Sequence, residues 1–218
     1  MERKQEAHVF AERVTIEVHT GYLLYLPGGY GKEGTKWPLL FFLHGAGERG
    51  TDVELVKRHG PPGLVEAGRK FPFILVSPQC PVDEYWSVPI LKMLLDRILE
   101  GYSVDVSRIY LTGMSMGGNG TWRMATAHPD LFAAIAPICG WGDTTRVSAL
   151  KDVPVWAFHG KKDPVIDFER GKSMVNSLKS AGGNVRFTVY PEAGHDSWTE
   201  TYQNPEFYVW LLRQKKKE

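Results

Sequence analysis

Six uninterrupted apolar runs recur along the chain: PLLFFLHG from Pro38, FPFILVSP from Phe71, IYLTG from Ile109, FAAIAPICG from Phe132, VPVWAFHG from Val153 and NVRFTVYP from Asn184. A strand that buries one face alternates apolar and polar residues. A continuous run demands cover on both faces, which is the condition of a strand inside a parallel sheet. Between the runs lie segments of helical spacing at about 52–68, 88–101, 117–128, 165–181 and 205–214. The clearest is 88–101, where Ile90, Leu91, Leu94, Leu95, Ile98 and Leu99 recur at three- and four-residue steps and Gly101 offers a stop. Strand and helix in alternation predict an α/β fold, a doubly wound, mostly parallel sheet with helices on both faces. Two further strands are expected at 8–19 and Tyr22–Leu26, separated from the run at Leu39–Leu43 by glycine-rich turns. With 218 residues and 43% hydrophobic content, residues 1–218 are expected to form a single domain.

Ligands on such a sheet gather at the carboxyl ends of the strands, and there the sequence is rich in chemistry. The run at Ile109 ends in Gly113-Met114-Ser115-Met116-Gly117, ahead of the helix expected at 117–128. A serine between glycines on a strand-to-helix turn is held in a tight, exposed conformation, because the small flanks let the two elements close up. Leu39–Leu43 leads into His44-Gly45-Ala46-Gly47, Val153–Phe158 into His159-Gly160-Lys161-Lys162-Asp163, and the run at Asn184 into Pro191-Glu192-Ala193-Gly194-His195. In a parallel sheet all four loops converge on one edge.

With the order Ser, Asp, His on these strand ends, the chain resembles the α/β-hydrolase superfamily. LHGAGERG, GMSMGGNGTW, HGKKDPVI and GHDSWTETY together resemble its phospholipase/carboxylesterase and dienelactone-hydrolase-like branch, which includes feruloyl and acetyl-xylan esterases and sequences labelled peptidases. The resemblance covers residues 38–212. It implies Ser115 as nucleophile, Asp163 as acid and His195 as base. The chemistry agrees: a serine hydroxyl needs an imidazole to take its proton, and the imidazole needs a carboxylate to fix its tautomer. Asp167 and Asp143 are competing carboxylates, the first suited to a helix N-terminus. The family pattern makes Met116 one oxyanion donor through its backbone N–H and favours Ala46 as the other, with Gly45 and Gly47 open. His44 matches a loop-ordering residue and His159 a structural one. His8, His19, His59 and His128 read as surface or helix-end residues. Glu48 and Arg49 are read as a loop-bracing ion pair. Trp86, Trp141 and Trp198 fall just past strand ends, where they line a substrate pocket or simply pack.

Residues 140–152 are too few for a cap domain, so an open site is expected. The reading is a serine carboxylesterase acting on short-to-medium acyl or aryl esters, small or polymer-linked, through an acyl-enzyme. A serine peptidase is the alternative, followed by a non-catalytic binding module. No cofactor is implied, and no His/Cys/Asp cluster has metal-ligand spacing. A net charge of +1 gives no case for nucleic acid or an anionic membrane. No apolar stretch reaches the length of a membrane span, and the N-terminus lacks a signal-peptide core. A cytoplasmic protein is expected from the chain as given, or a secreted one if this is a domain of a longer protein. Cys80 and Cys139 read as free, buried thiols, and Lys215–Lys217 as a solvated tail.

Overall fold

The computed structural model describes residue 9 and residues 17–216. Seven strands, β1 (Tyr22–Tyr25), β2 (Trp37–Leu43), β3 (Ile74–Pro78), β4 (Val104–Met114), β5 (Ala134–Ile138), β6 (Val155–Gly160) and β7 (Val185–Tyr190), form one sheet in the order β1-β3-β2-β4-β5-β6-β7. Only β1 runs antiparallel; the other pairings are parallel. The six apolar runs are thus six parallel strands of the sheet. The strand expected at 8–19 falls largely outside the described residues, and 17–19 are in no regular element.

Alternate residues of β2 show why the runs are continuous. Leu39, Phe41 and Leu43 belong to one buried cluster and Leu40 and Phe42 to another, and all five are fully buried. Three helices cover the first face: α2 (Val88–Gly101), α3 (Met116–Ala127) and α4 (Phe168–Ser180), through Leu91, Leu95, Trp122, Met174 and Leu178. The second face lies under α1 (Gly60–Glu66), α5 (Trp198–Gln203) and α6 (Pro205–Arg213), through Leu64, Tyr202, Phe207 and Leu211. Burying a large apolar side chain contributes about 1.5–3 kcal/mol, so these two layers are the main stabilising term.

Several expected boundaries move, each for a local reason. The helix expected over 52–68 is two pieces, a 3₁₀ segment Val53–Arg58 and α1. The break falls at Gly60, which has φ +68°, ahead of Pro61 and Pro62, whose missing N–H groups suit only a first turn. The helix expected from 165 starts at Phe168, because the Asp167 side chain caps it by accepting from the Glu169 N–H. Helix α5 has no counterpart among the expected elements. Its six residues are too few for a periodicity; Asp196 starts it by accepting from the Thr199 N–H, and Thr201 and Tyr202 anchor it in the core. The C-terminal tail is not merely solvated, since the Lys216 N–H donates to Ser107 O and its ammonium to Asp130 O. Between β5 and β6 there is one 3₁₀ turn, Val147–Leu150, and no helix, so no cap domain stands over the strand ends. Among the described residues no helix is long and apolar enough to cross a membrane.

Candidate active site

Ser115 links β4 to α3 with φ 54° and ψ −117°, a backbone conformation that costs a non-glycine residue on the order of 1–3 kcal/mol. Close packing holds it there. A β-carbon at Gly117 would fall on the Leu43 carbonyl, and one at Gly118 would lie 2.5 Å from Ile138 O and 2.8 Å from the Gly140 Cα. Helix and strands therefore meet backbone to backbone. The Ser115 N–H donates to Ile138 O at 3.0 Å.

The loops after β6 and β7 bring their side chains to that hydroxyl. His195 Nε2 lies 2.9 Å from Ser115 Oγ, and His195 Nδ1 lies 2.8 Å from Asp163 Oδ2. A carboxylate only accepts, so Nδ1 carries the proton and Nε2 is left to accept from the serine. Asp163 is itself pinned, its Oδ1 accepting from the N–H groups of Val165 and Ile166 at 2.9 and 3.0 Å. Burial alone would raise its pKa, but the His195 hydrogen bond and these two N–H groups outweigh it, and the carboxyl titrates below its ordinary range. His159 is buried behind it, donating from Nε2 to Ile166 O at 3.0 Å, 3.3 Å from Asp163 Oδ2; burial lowers its pKa.

The competing carboxylates stand elsewhere. Asp167 caps α4, and exposed Asp143 accepts from the N–H and hydroxyl of Thr145. The backbone of Ala46 opens a short 3₁₀ turn, Ala46–Glu48, and that of Met116 opens α3; as first residues, their N–H groups have no partner within their helices.

His44 is fully buried and holds the loop after β2 in place. Its Nε2 accepts from the Cys80 N–H at 3.0 Å, its Nδ1 donates to Gly45 O at 2.6 Å, and burial drives its pKa down to about 4. Trp86 belongs to the same support, the packing role that the sequence leaves open beside a pocket one. It is 3% exposed, packs its ring on His44 and donates from its indole N–H to His44 O at 3.1 Å. The expected Glu48–Arg49 ion pair is also absent among the described residues. Arg49 turns to the carbonyls of Ala46 and Glu84, while the Glu48 carboxylate is buried the other way, toward His44 and His59. Trp198 stands edge-on to His195 at 5.1 Å, and Trp141 lines an open groove of about 540 Å³ beside α3, with Arg170 over its ring.

Cys80 and Cys139 are free and buried. The donor atoms of Cys139, Asp163 and His195 lie within 4.8 Å of one another, a grouping the sequence spacing hides because the three come from different loops. A metal there would need the Cys139 thiolate, whose formation burial strongly opposes, and would displace the Asp163–His195 hydrogen bond.

The dienelactone hydrolase family model matches residues 82–208. A solved thermostable esterase superimposes with a TM-score of 0.80 and 36% identity, covering 91% of this chain and 60% of that one. The bifunctional acetylxylan esterase/xylanase of Neocallimastix patriciarum is 27% identical over 89 residues, covering 41% of this chain and 13% of that protein. Acyl-protein thioesterase 1 of Gibberella zeae is 29% identical over 110 residues, or 47% of each. This chain therefore spans half or less of the length of those curated relatives. The α/β-hydrolase fold, the serine at its strained turn and the match over more than half of the residues agree: the chain belongs to the dienelactone hydrolase family.

Proposed function

We propose that the protein is a serine carboxylesterase hydrolysing short-to-medium acyl or aryl esters, with Ser115 as nucleophile, His195 as base and Asp163 as acid. The observation that carries this reading is the unbroken hydrogen-bond line from Ser115 Oγ through His195 to Asp163. Ser115 gives its proton to His195 Nε2 as its oxygen bonds to the ester carbonyl carbon. The carbonyl oxygen takes up the negative charge, and the N–H groups of Met116 and Ala46 receive it. Each such donor is worth a few kcal/mol in the barrier. His195 then passes the proton to the departing alcohol, and the acyl group remains on Ser115. Water repeats the sequence, returning the serine and releasing the acid. Asp163 stays ionised throughout and stabilises the imidazolium.

The uncapped edge favours short acyl chains. Each buried CH₂ contributes about 0.8 kcal/mol, so an open site stops rewarding length after a few carbons, and kcat/KM is expected to peak at about C2 to C6. The acetylxylan esterase activity in one relative's name makes polymer-linked acetate a substrate to try. A fluorophosphonate should label Ser115 covalently in the wild-type protein and label nothing in Ser115→Ala, which should also lose ester hydrolysis. Labelling at another serine, or turnover surviving in that variant, would end the proposal.

A further inference from the structure

Glu48 stands on the loop after β2, and nothing in the relay uses it. Its side chain is 7% exposed, and Oε2 is buried with no hydrogen-bond partner. The two nearest basic groups do not satisfy it. His44 Nδ1 is 3.9 Å from Oε2 and spends its proton on Gly45 O, and His59 Nε2 stands 3.8 Å from Oε1, beyond hydrogen-bond reach. Gly45 lies between this carboxylate and the serine. A β-carbon built on Gly45 would lie 3.3 Å from Glu48 Oε2 and 3.7 Å from Ser115 Cβ, touching both. The His59 ring, beside Glu48, lies 5.8 Å from that of Trp198, which also stands against His195.

A buried carboxylate without a donor is costly, and beside a developing oxyanion its charge opposes catalysis. Both costs fall if the substrate itself brings an O–H to the carboxylate. Resting on the esterase reading above, we infer that Glu48 is a specificity residue that accepts a hydrogen bond from a free hydroxyl on the alcohol part of the ester, carried by the carbon next to the one that bears the ester oxygen. The preferred substrate is then a monoacylated diol, polyol or sugar. An ester lacking that hydroxyl leaves Glu48 bare at the moment of charge development, so discrimination comes as much from rejecting the wrong alcohol as from binding the right one.

Three acetates of similar size test this: hydroxyethyl acetate, methoxyethyl acetate and acetylcholine, followed by acid release. The readout is the ratio of kcat/KM values within one protein, which does not depend on the folded fraction. The wild-type protein should prefer hydroxyethyl over methoxyethyl acetate by about tenfold, the factor that a hydrogen bond to a charged acceptor supplies. Glu48→Met should bring that ratio close to one. Glu48→Gln, which keeps an acceptor oxygen but no charge, should fall between. A wild-type ratio near one, or a preference that persists in Glu48→Met, overturns the inference. So does a preference for acetylcholine that Glu48→Met abolishes, since the site would then bind a cation. If no acetate is cleaved and fluorophosphonate fails to label Ser115, it is the esterase reading that has failed.

Discussion

The two walls that meet at Ser115 are built differently. On one side, the loop after β2 is held by groups that never approach the nucleophile: His44 bonded to Cys80 and Gly45, Trp86 on His44, and Gln79 donating to Glu48 O and Asp52 O. On the other side, the loops after β6 and β7 are held in part by the proposed reacting groups, since Asp163 organises its own loop through Val165 and Ile166 and also carries His195. The first wall separates support from chemistry, and the second merges them. A substitution among the supporting side chains of the first wall should therefore register as lost stability, and one in the second as lost rate and lost stability together.

The sharpest test of that division is the second wall. His195→Ala should lower kcat by at least about 10⁴-fold, and Asp163→Asn by about 10²- to 10⁴-fold, because the amide can favour the wrong imidazole tautomer. Thermal stability should fall as well, most in His195→Ala, which leaves the buried Asp163 carboxylate without its imidazole partner. An Asp163→Asn protein that keeps full activity would break the comparison. The next largest effect belongs to His44. Its folded pKa is about 4 against an ordinary 6.5, so between those values the unfolded chain binds a proton that the folded chain refuses. Stability present at neutral pH should then fall by about 3 kcal/mol on acidification from 6.5 to 4. Urea midpoints across that range should show a steeper loss in the wild-type protein than in His44→Gln, and equal slopes would refute it. Trp86→Phe removes one buried donor and should cost about 1 kcal/mol of stability, with a far smaller effect on rate than His195→Ala. Least of all, EDTA and dithiothreitol should leave ester hydrolysis as it was; a loss with EDTA would mean that the Cys139, Asp163 and His195 grouping holds a metal after all.

Much of this was legible from the residues alone. Continuous apolar runs disclose six strands because burial on both faces removes alternation, and the loops that carry Ser115, Asp163 and His195 are legible because each follows such a run, whereas preferring Asp163 to Asp143 and Asp167 needs the family resemblance. What stayed hidden depends on partners distant in sequence. Glu48 and Arg49 look like a pair when adjacent, yet one turns inward to two histidines and the other outward to backbone carbonyls. Trp86 reads equally as pocket or packing until its N–H is seen to meet His44 O, 42 residues away. Helix α5 owes its existence to Tyr202 meeting Thr112 across the core, a contact no local pattern encodes.

The backbone crossing at the strained serine also limits how descendants of this chain can diversify. At Gly118 and Gly140 any side chain would strike main-chain atoms within 3 Å, which no neighbour's rotamer can relieve. Heritable novelty is therefore barred from this crossing beside Ser115 and diverted to the surrounding loops, such as 81–85 and 143–147. A laboratory library would meet the same barrier: randomised at the crossing it should return glycine, and new substrate preferences should arise from the loops.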